Sequence, residues 1–354
     1  MANLIRKFFN DFNDITEYYN FLVKKTKDHE YVEITNEWLI DNYYLLVEHK
    51  NNILNNKSEI QKNAKIINDN YFILKNIITK RNYNINFKYL VEELKELETT
   101  SNKIFTYREL SYIFTTIIFI YTDRLNSLCR EECRKLINKE AINNIISNNE
   151  HYTLKTFIPD NFDINNNGNY IFEINNQLHK IGSEINELLK ELNEYLQTNY
   201  VSIKELINDE YQSKIDNNIL ISNIFNDLKD INEYSLSKLY EKVSATEKLL
   251  LTDPVYKEMT VESKNLYRER IVELAKKNHM HEYTYLEKIF DKKKHIGFAL
   301  FKQKNNKVRV FAYIFTLLAL TVLATLFLSK FFIGYRILGF IVLFIPIKIG
   351  RAHV

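Results

Sequence analysis

Apolar residues recur at three- and four-residue steps along most of the first 300 positions. Between Ile185 and Leu196, one stripe collects Ile185, Leu188, Leu189, Leu192, Tyr195 and Leu196. That is the period of a helix with one buried face. Ile221, Ile224, Phe225, Leu228 and Ile231 repeat it. No run alternates apolar and polar residues as a half-buried strand does, and there is no internal repeat. The pattern predicts an all-α, multi-helix domain. The stretch "ITNEWLIDNYYLL", around Trp38, has apolar residues on several faces. It reads as a buried helix rather than a platform for stacking a sugar.

Punctuation supports the helices. Thr260 is placed to cap a helix with Glu262 in its first turn and Lys276 and Lys277 in its last, charges that suit the helix dipole. On it, Tyr267, Ile271 and Leu274 are expected to share a face that packs on the Ile221–Leu228 stripe, with Glu269 outside. Asp253-Pro254 has the form of a cap followed by proline at the first helical position. The weakest stretch runs from about Asn143 to Asn169 and ends in "PDNFDINNNGNY". The expected organisation is a helical subdomain over 1–142, an Asn-rich loop or linker over 143–180, and a second helical subdomain over 181–300.

Further on the character changes. Val310–Ser329 is apolar and uncharged, long enough as a helix to cross a bilayer core of about 30 Å. A second apolar segment, 331–347, carries Arg336 and Pro346 and reads as a second crossing, a re-entrant turn or an interfacial helix. Lys292, Lys293, Lys294, Lys302, Lys304, Lys307 and Arg309 precede the first span, against Lys330 and Arg336 after it. The positive-inside rule then places residues 1–300 in the cytoplasm. The ending "IGRAHV", residues 349–354, can be back-translated as ATC GGA AGA GCA CAC GTC, the start of a common sequencing adapter, and is expected to be a non-native tail.

Composition narrows the chemistry. Six Gly and three Pro in 354 residues leave few turns, so helices should be long. A net charge of +3, with Lys and Glu interspersed, excludes the basic block of a nucleic-acid binder. Cys129 and Cys133, four apart on a helix, read as reduced thiols of a cytosolic compartment. "DINNNGNYIFE" has Asp163, Asn165, Asn167 and Gly168 where a calcium loop has its first ligands and glycine. Ile174 stands where the bidentate acid belongs and Glu173 is one short, so it reads as an Asn/Gly turn. His279, His281 and Glu282 in "HMHE" follow a helix and begin the next, where they diverge, so a polar connection is expected. There is no G-x-S-x-G elbow, P-loop, H-E-x-x-H or Asp-x-Asp pair. No catalytic, cofactor-binding or metal-ligating residue is assigned.

Several segments together resemble the N-terminal region of bacterial cyclic β-1,2-glucan synthases. "NEWLIDNYYLLVEH" (Asn36–His49) is similar to their E-W-L-x-D-N-[FY] helix. Val201–Ile231 resembles their S-I-x-E-L-I-x-x-E-x-Q segment and the S-N-x-I-x-S-L-R helix that follows, with departures at Asn223-Ile224 and Asp227-Leu228-Lys229. Tyr240–Lys277 resembles the V-S-x-V-E…L-x-x-D-P…Y-x-x-M-x-x-x-[ST]-[RK]-x-x-Y-R stretch, and "HIGFAL" (His295–Leu300) the H-V-G-Y-Y-L element ahead of the first span. The order and spacing of the blocks match over most of 30–345. The resemblance implies a fragment of a large bacterial inner-membrane enzyme of carbohydrate biosynthesis, which builds a β-1,2-glucan from UDP-glucose. UDP-glucose and a divalent metal would bind a downstream glycosyltransferase domain, with phosphorylase-like domains beyond it. This portion is expected to be a non-catalytic, membrane-anchored scaffold. The alternative expectation is a free-standing membrane-anchored helical adaptor.

Overall fold

A computed structural model describes residues 3–28, 32–101, 103–148, 153–159, 162–164, 167–181, 186–199, 201–291, 294–301 and six positions between 315 and 322. Among the described residues every regular element is a helix. The first half holds α1 (Asn3–Lys27), α2 (Ile34–Asn55), α3 (Lys57–Lys62), α4 (Ala64–Lys80), α5 (Phe87–Ser101), α6 (Tyr107–Ser111) and α7 (Ile113–Asn148). Then come α8 (Leu154–Phe157), α9 (Gly168–Ile181), α10 (Asn186–Thr198) and α11 (Ile203–Ile231). Shorter pieces follow: α12 (Leu236–Val243), α13 (Ala245–Leu250), α14 (Pro254–Lys257), α15 (Val261–Lys277), α16 (Glu282–Ile289) and α17 (Gly297–Leu300). The chain divides into two compact units, Met1–Lys288 and Ile289–Val354.

Two helices organise the first unit. The N-terminal half of α7 buries every residue from Thr116 to Thr122. A helix covered on all sides must be apolar all round, and "TIIFIYT" is nearly so. Its two threonines return their hydroxyls to Tyr112 O and Ile118 O within the helix. Around it pack α1, α2, α4 and α6, and α11 lies against α2, α7 and α9. The main core therefore joins Ile5–Cys129 to Leu220–Val243. A second core gathers Ile142 near the end of α7 with Phe157, Ile171, Ile174, Leu178, Leu188, Leu192 and Leu196.

The stripes read from sequence are the buried ones. Leu188, Leu192 and Leu196 of α10 and Ile221, Ile224, Phe225, Leu228 and Ile231 of α11 are all buried, and Leu189 and Tyr195 are half-buried against the second core. Ile185 lies outside the described residues. The capping expectations hold as well. The Thr260 hydroxyl accepts from Ser263 N–H, and the Asp253 carboxylate accepts from Val255 and Tyr256 N–H ahead of Pro254. Trp38 sits half-buried on α2, packed against the main core.

The 143–180 segment differs from its expected Asn-rich loop. It holds the end of α7, the short α8 and all of α9. Ile171, Ile174 and Leu178 recur there at helical spacing and are fully buried, and their burial outweighs the weak helix propensity of the asparagines around them.

The α15 face also differs. Its buried positions are Lys264, Arg268, Ile271 and Ala275, while Tyr267 and Leu274 are only half-buried. Its ion pairs and ring contacts run to Glu241, Glu247 and Tyr256 on α12–α14. Two of the four buried residues are cationic, so a reading that counts apolar positions is rotated off the true face. Ile271 itself is buried and Glu269 exposed, as expected. Ile271→Ala should destabilise the unit by about 2–3 kcal/mol, the low end of the range because the side chain borders a small cavity, and Glu269→Ala by less than about 0.5 kcal/mol. Denaturant titration of both variants checks the assignment.

In the second unit, α17 buries Gly297 and Leu300 and exposes Phe298. The described positions between 315 and 322 are helical, and Phe315, Leu318, Leu320 and Val322 among them are exposed. No helix of the described residues is long and apolar enough to cross a membrane. Except for those six positions, the expected spans over 310–329 and 331–347 lie outside the described residues, as do Lys292, Lys293, the basic run 302–309 and the 349–354 tail.

Candidate functional site

A buried polar cluster of the first unit is assembled by α12–α16 with α6. Ser244 ends α12 and caps α13, its hydroxyl accepting from Glu247 N–H. This turns Glu247 inward, where it is 2% exposed. Arg268 reaches it from α15 with a two-pronged contact, Nε to Oε2 at 2.9 Å and Nη2 to Oε1 at 2.6 Å. Tyr256, set by the Asp253 cap, donates its hydroxyl to the same carboxylate at 3.1 Å. The Arg268 guanidinium lies 4.9 Å from the Tyr240 ring centroid, and Tyr240 stacks on Tyr107 at 4.6 Å. The charge is thus paired, hydrogen-bonded and covered, as a buried ion must be.

Electrostatics agree with a closed knot. Burial opposes the charge of Arg268, but its hydrogen bonds to Glu247 hold it protonated above the ordinary arginine value. Burial and the Glu247 charge push the Tyr256 hydroxyl well up, so it stays a neutral donor. Neither group is poised to exchange a proton near neutral pH.

Glu282 is the exception. It opens α16, is 7% exposed, and its Oε2 accepts from Tyr107 N–H at the start of α6 at 2.7 Å. Burial, with Glu109 nearby, pushes its carboxyl up to about 7. A raised folded value means that the folded state binds the proton more tightly than the unfolded chain. This contribution is fully present below about 4.5 and is lost as pH rises through about 7. On the scale of about 1.4 kcal/mol per unit, the loss is on the order of 3 kcal/mol. Glu282→Gln keeps an oxygen for Tyr107 N–H and should remove that slope. The difference in stability between variant and wild type, measured from pH 4 to 8, isolates it.

The other sequence candidates do not converge. His279 and His281 are exposed while Glu282 is buried. His279 adopts φ 53° at the end of α15, where Met280 N–H returns to Ala275 O, so it closes the helix. Cys129 is buried and Cys133 half-buried, both are free, and burial raises both thiols, which makes them poor nucleophiles. At the Asn/Gly turn, Asn167 Nδ2 donates to Asp163 O and Gly168 begins α9; Asn165 lies outside the described residues. Among the described residues no group of three His, Cys, Asp or Glu is placed to hold a metal.

One cluster went unseen in the sequence. Lys135 on α7 lies 3.0 Å from Glu210 of α11, 3.2 Å from Glu131 and 3.4 Å from Glu132. The i,i+4 partner Glu131 is visible in "EECRK", but Glu210 is reached only by folding.

The positions quoted for the family resemblance share a character. On α2, Asn36 accepts from the buried Tyr18 hydroxyl at 2.9 Å, Tyr43 stacks on Tyr19 at 3.9 Å, and His49 Nε2 meets Leu228 O at 2.8 Å. On α11, Ser202 caps the helix and Glu210 pairs with Lys135. Even the departures are used. Asn223 Nδ2 donates to Asn82 O, and the buried Asp227 accepts from Ile85 N–H and the Tyr121 hydroxyl. In 240–277, Ser244, Glu247, Asp253, Tyr256 and Arg268 form the knot described above. No protein-family model matches the chain, and no curated protein matches it.

Proposed function

We propose that the chain is a non-catalytic, membrane-anchored scaffold at the N-terminal side of a cyclic β-1,2-glucan synthase. In this reading the helical unit is held at the cytoplasmic face of a bacterial inner membrane. The observation that carries it is that Asn36, His49, Ser202, Glu210, Ser244, Glu247, Asp253, Tyr256 and Arg268 cap helices, pair buried charges or tie helices together, while Glu37, Asp41, Glu205 and Gln212 are exposed. These positions support a resemblance in packing scheme. The anchoring part rests on the apolar run of 310–329 and on the exposure of Phe315, Leu318, Leu320 and Val322. UDP-glucose, a divalent metal and the glucosyl transfer belong to a transferase domain outside these residues. That domain, the phosphorylase-like domains and the membrane are the partners.

The test has two arms. The purified chain, incubated with labelled UDP-glucose, should carry no protein-linked label above a heat-killed control. Added to a cyclic β-1,2-glucan synthase stripped of its own N-terminal helical region, it should restore part of the lost transfer. Label on the chain alone would overturn the scaffold role. No restoration by a folded chain would overturn the assignment to this enzyme class.

A further inference from the structure

Beside the Glu247–Arg268 pair lies a cavity of about 10 Å³, lined among others by Ser244, Thr246, Arg268 and Glu282. It is walled on the apolar side by Leu250 and Ile271. Two of its polar groups are incompletely used. Thr246 is 7% exposed, and its Oγ1 is buried without a hydrogen-bond partner. Glu282, equally buried, also lines the cavity, and its Oε2 accepts from Tyr107 N–H. Ser244 is half used, since its oxygen accepts from Glu247 N–H while its own proton remains to be donated. An unpartnered buried hydroxyl is costly, because it gives up its bonds to water without replacement. A cavity of this size has room for about one water, which needs two to four polar partners.

We propose that this cavity is a one-water binding site joining the Thr246 hydroxyl, the Ser244 hydroxyl and the Glu282 carboxylate. The water donates to Glu282 and to Thr246 or accepts from either hydroxyl, so both hydroxyls become satisfied. It also ties the start of α13 to the start of α16, completing the polar link that Tyr107 N–H begins from α6. A larger ligand does not fit. A metal ion would find one carboxylate, Glu282, because Glu247 is held by Arg268 and Tyr256.

The water bears on how Glu282 titrates. The charged and titratable groups around that carboxyl are Arg108 and Glu109 at α6, Glu247 on α13, Arg268 on α15, and the Tyr107 and Tyr240 hydroxyls. Arg268 is neutralised by Glu247, and Arg108 and Glu109 oppose one another. The water's hydrogen bond is therefore the adjustable influence, and it favours the charged form.

An experimental structure of the full chain at a resolution that shows waters should place one within hydrogen-bond distance of Thr246 Oγ1 and the Glu282 carboxyl. Difference infrared spectra, wild type minus Glu282→Gln, follow the carboxyl in solution. Thr246→Val, close to the same shape, should expel the water and raise the midpoint of Glu282 by about one pH unit. Thr246→Ser should keep both the water and the wild-type midpoint. Overturning results are no density in the cavity, density with the short oxygen contacts of a metal, or a Thr246→Val midpoint equal to that of wild type. Should Thr246→Val fail to fold, the wild-type density and the Thr246→Ser midpoint decide.

Discussion

Arg268→Met is expected to destabilise the helical unit by about 3–5 kcal/mol, the cost of leaving one charge of a buried pair uncompensated. Glu247 would keep only the Tyr256 hydroxyl and its own helix cap. Methionine fills most of the volume, so the loss reports the charge and its hydrogen bonds rather than a hole. Lysine in place of Arg268 should not rescue it, because a point charge cannot make the two parallel contacts of the guanidinium fork. A control lies on the same helix. Arg270 contacts Glu273 at 2.6 Å on the exposed side, and Arg270→Met should stay within about 0.5 kcal/mol. Denaturant titration of the full chain measures all three.

Phe225→Ala should cost a comparable amount, about 3–5 kcal/mol. The ring is 1% exposed on α11, in the core that joins α11 to α2 and α7. Truncation there opens a cavity between long helices that cannot close up without moving each other. Ile219, six residues earlier on α11, is 45% exposed, and Ile219→Ala should change stability by no more than about 0.5 kcal/mol. Equal effects would mean that the buried face of α11 is misplaced.

What the sequence made legible was the local and the periodic. The α10 and α11 stripes and the Thr260 and Asp253 caps depend on residues within one or two turns of each other, so spacing alone reveals them. The all-helical class follows from the same periodicity and from the scarcity of Gly and Pro. Charge hid the rest. The buried face of α15 includes Lys264 and Arg268, which a hydrophobic pattern assigns to solvent. Glu247 and Arg268 are 21 residues apart, and Lys135 and Glu210 farther still, so neither pair has a signature in a single chain. The helix α9 is hidden differently, by asparagines whose weak helix propensity masks the Ile171, Ile174 and Leu178 stripe, and one of them, Asn175, is itself buried. Of the candidate site, Asp253 is legible as a helix cap and Glu282 as a neighbour of two histidines. Glu282 was weighed as part of a histidine cluster, and its importance comes from burial against Tyr107, which belongs to folding rather than to spacing.

The central claim is that the motif-like residues serve the fold, and a double-mutant cycle on Glu247 and Arg268 tests it most directly. Glu247→Leu, Arg268→Met and the double variant would be compared with wild type by denaturant titration of the full chain. If the pair is structural, each single change costs about 3–5 kcal/mol, and the double change costs less than either, because removing both charges leaves none stranded. Single substitutions that leave stability unchanged, or costs that simply add, would contradict the account.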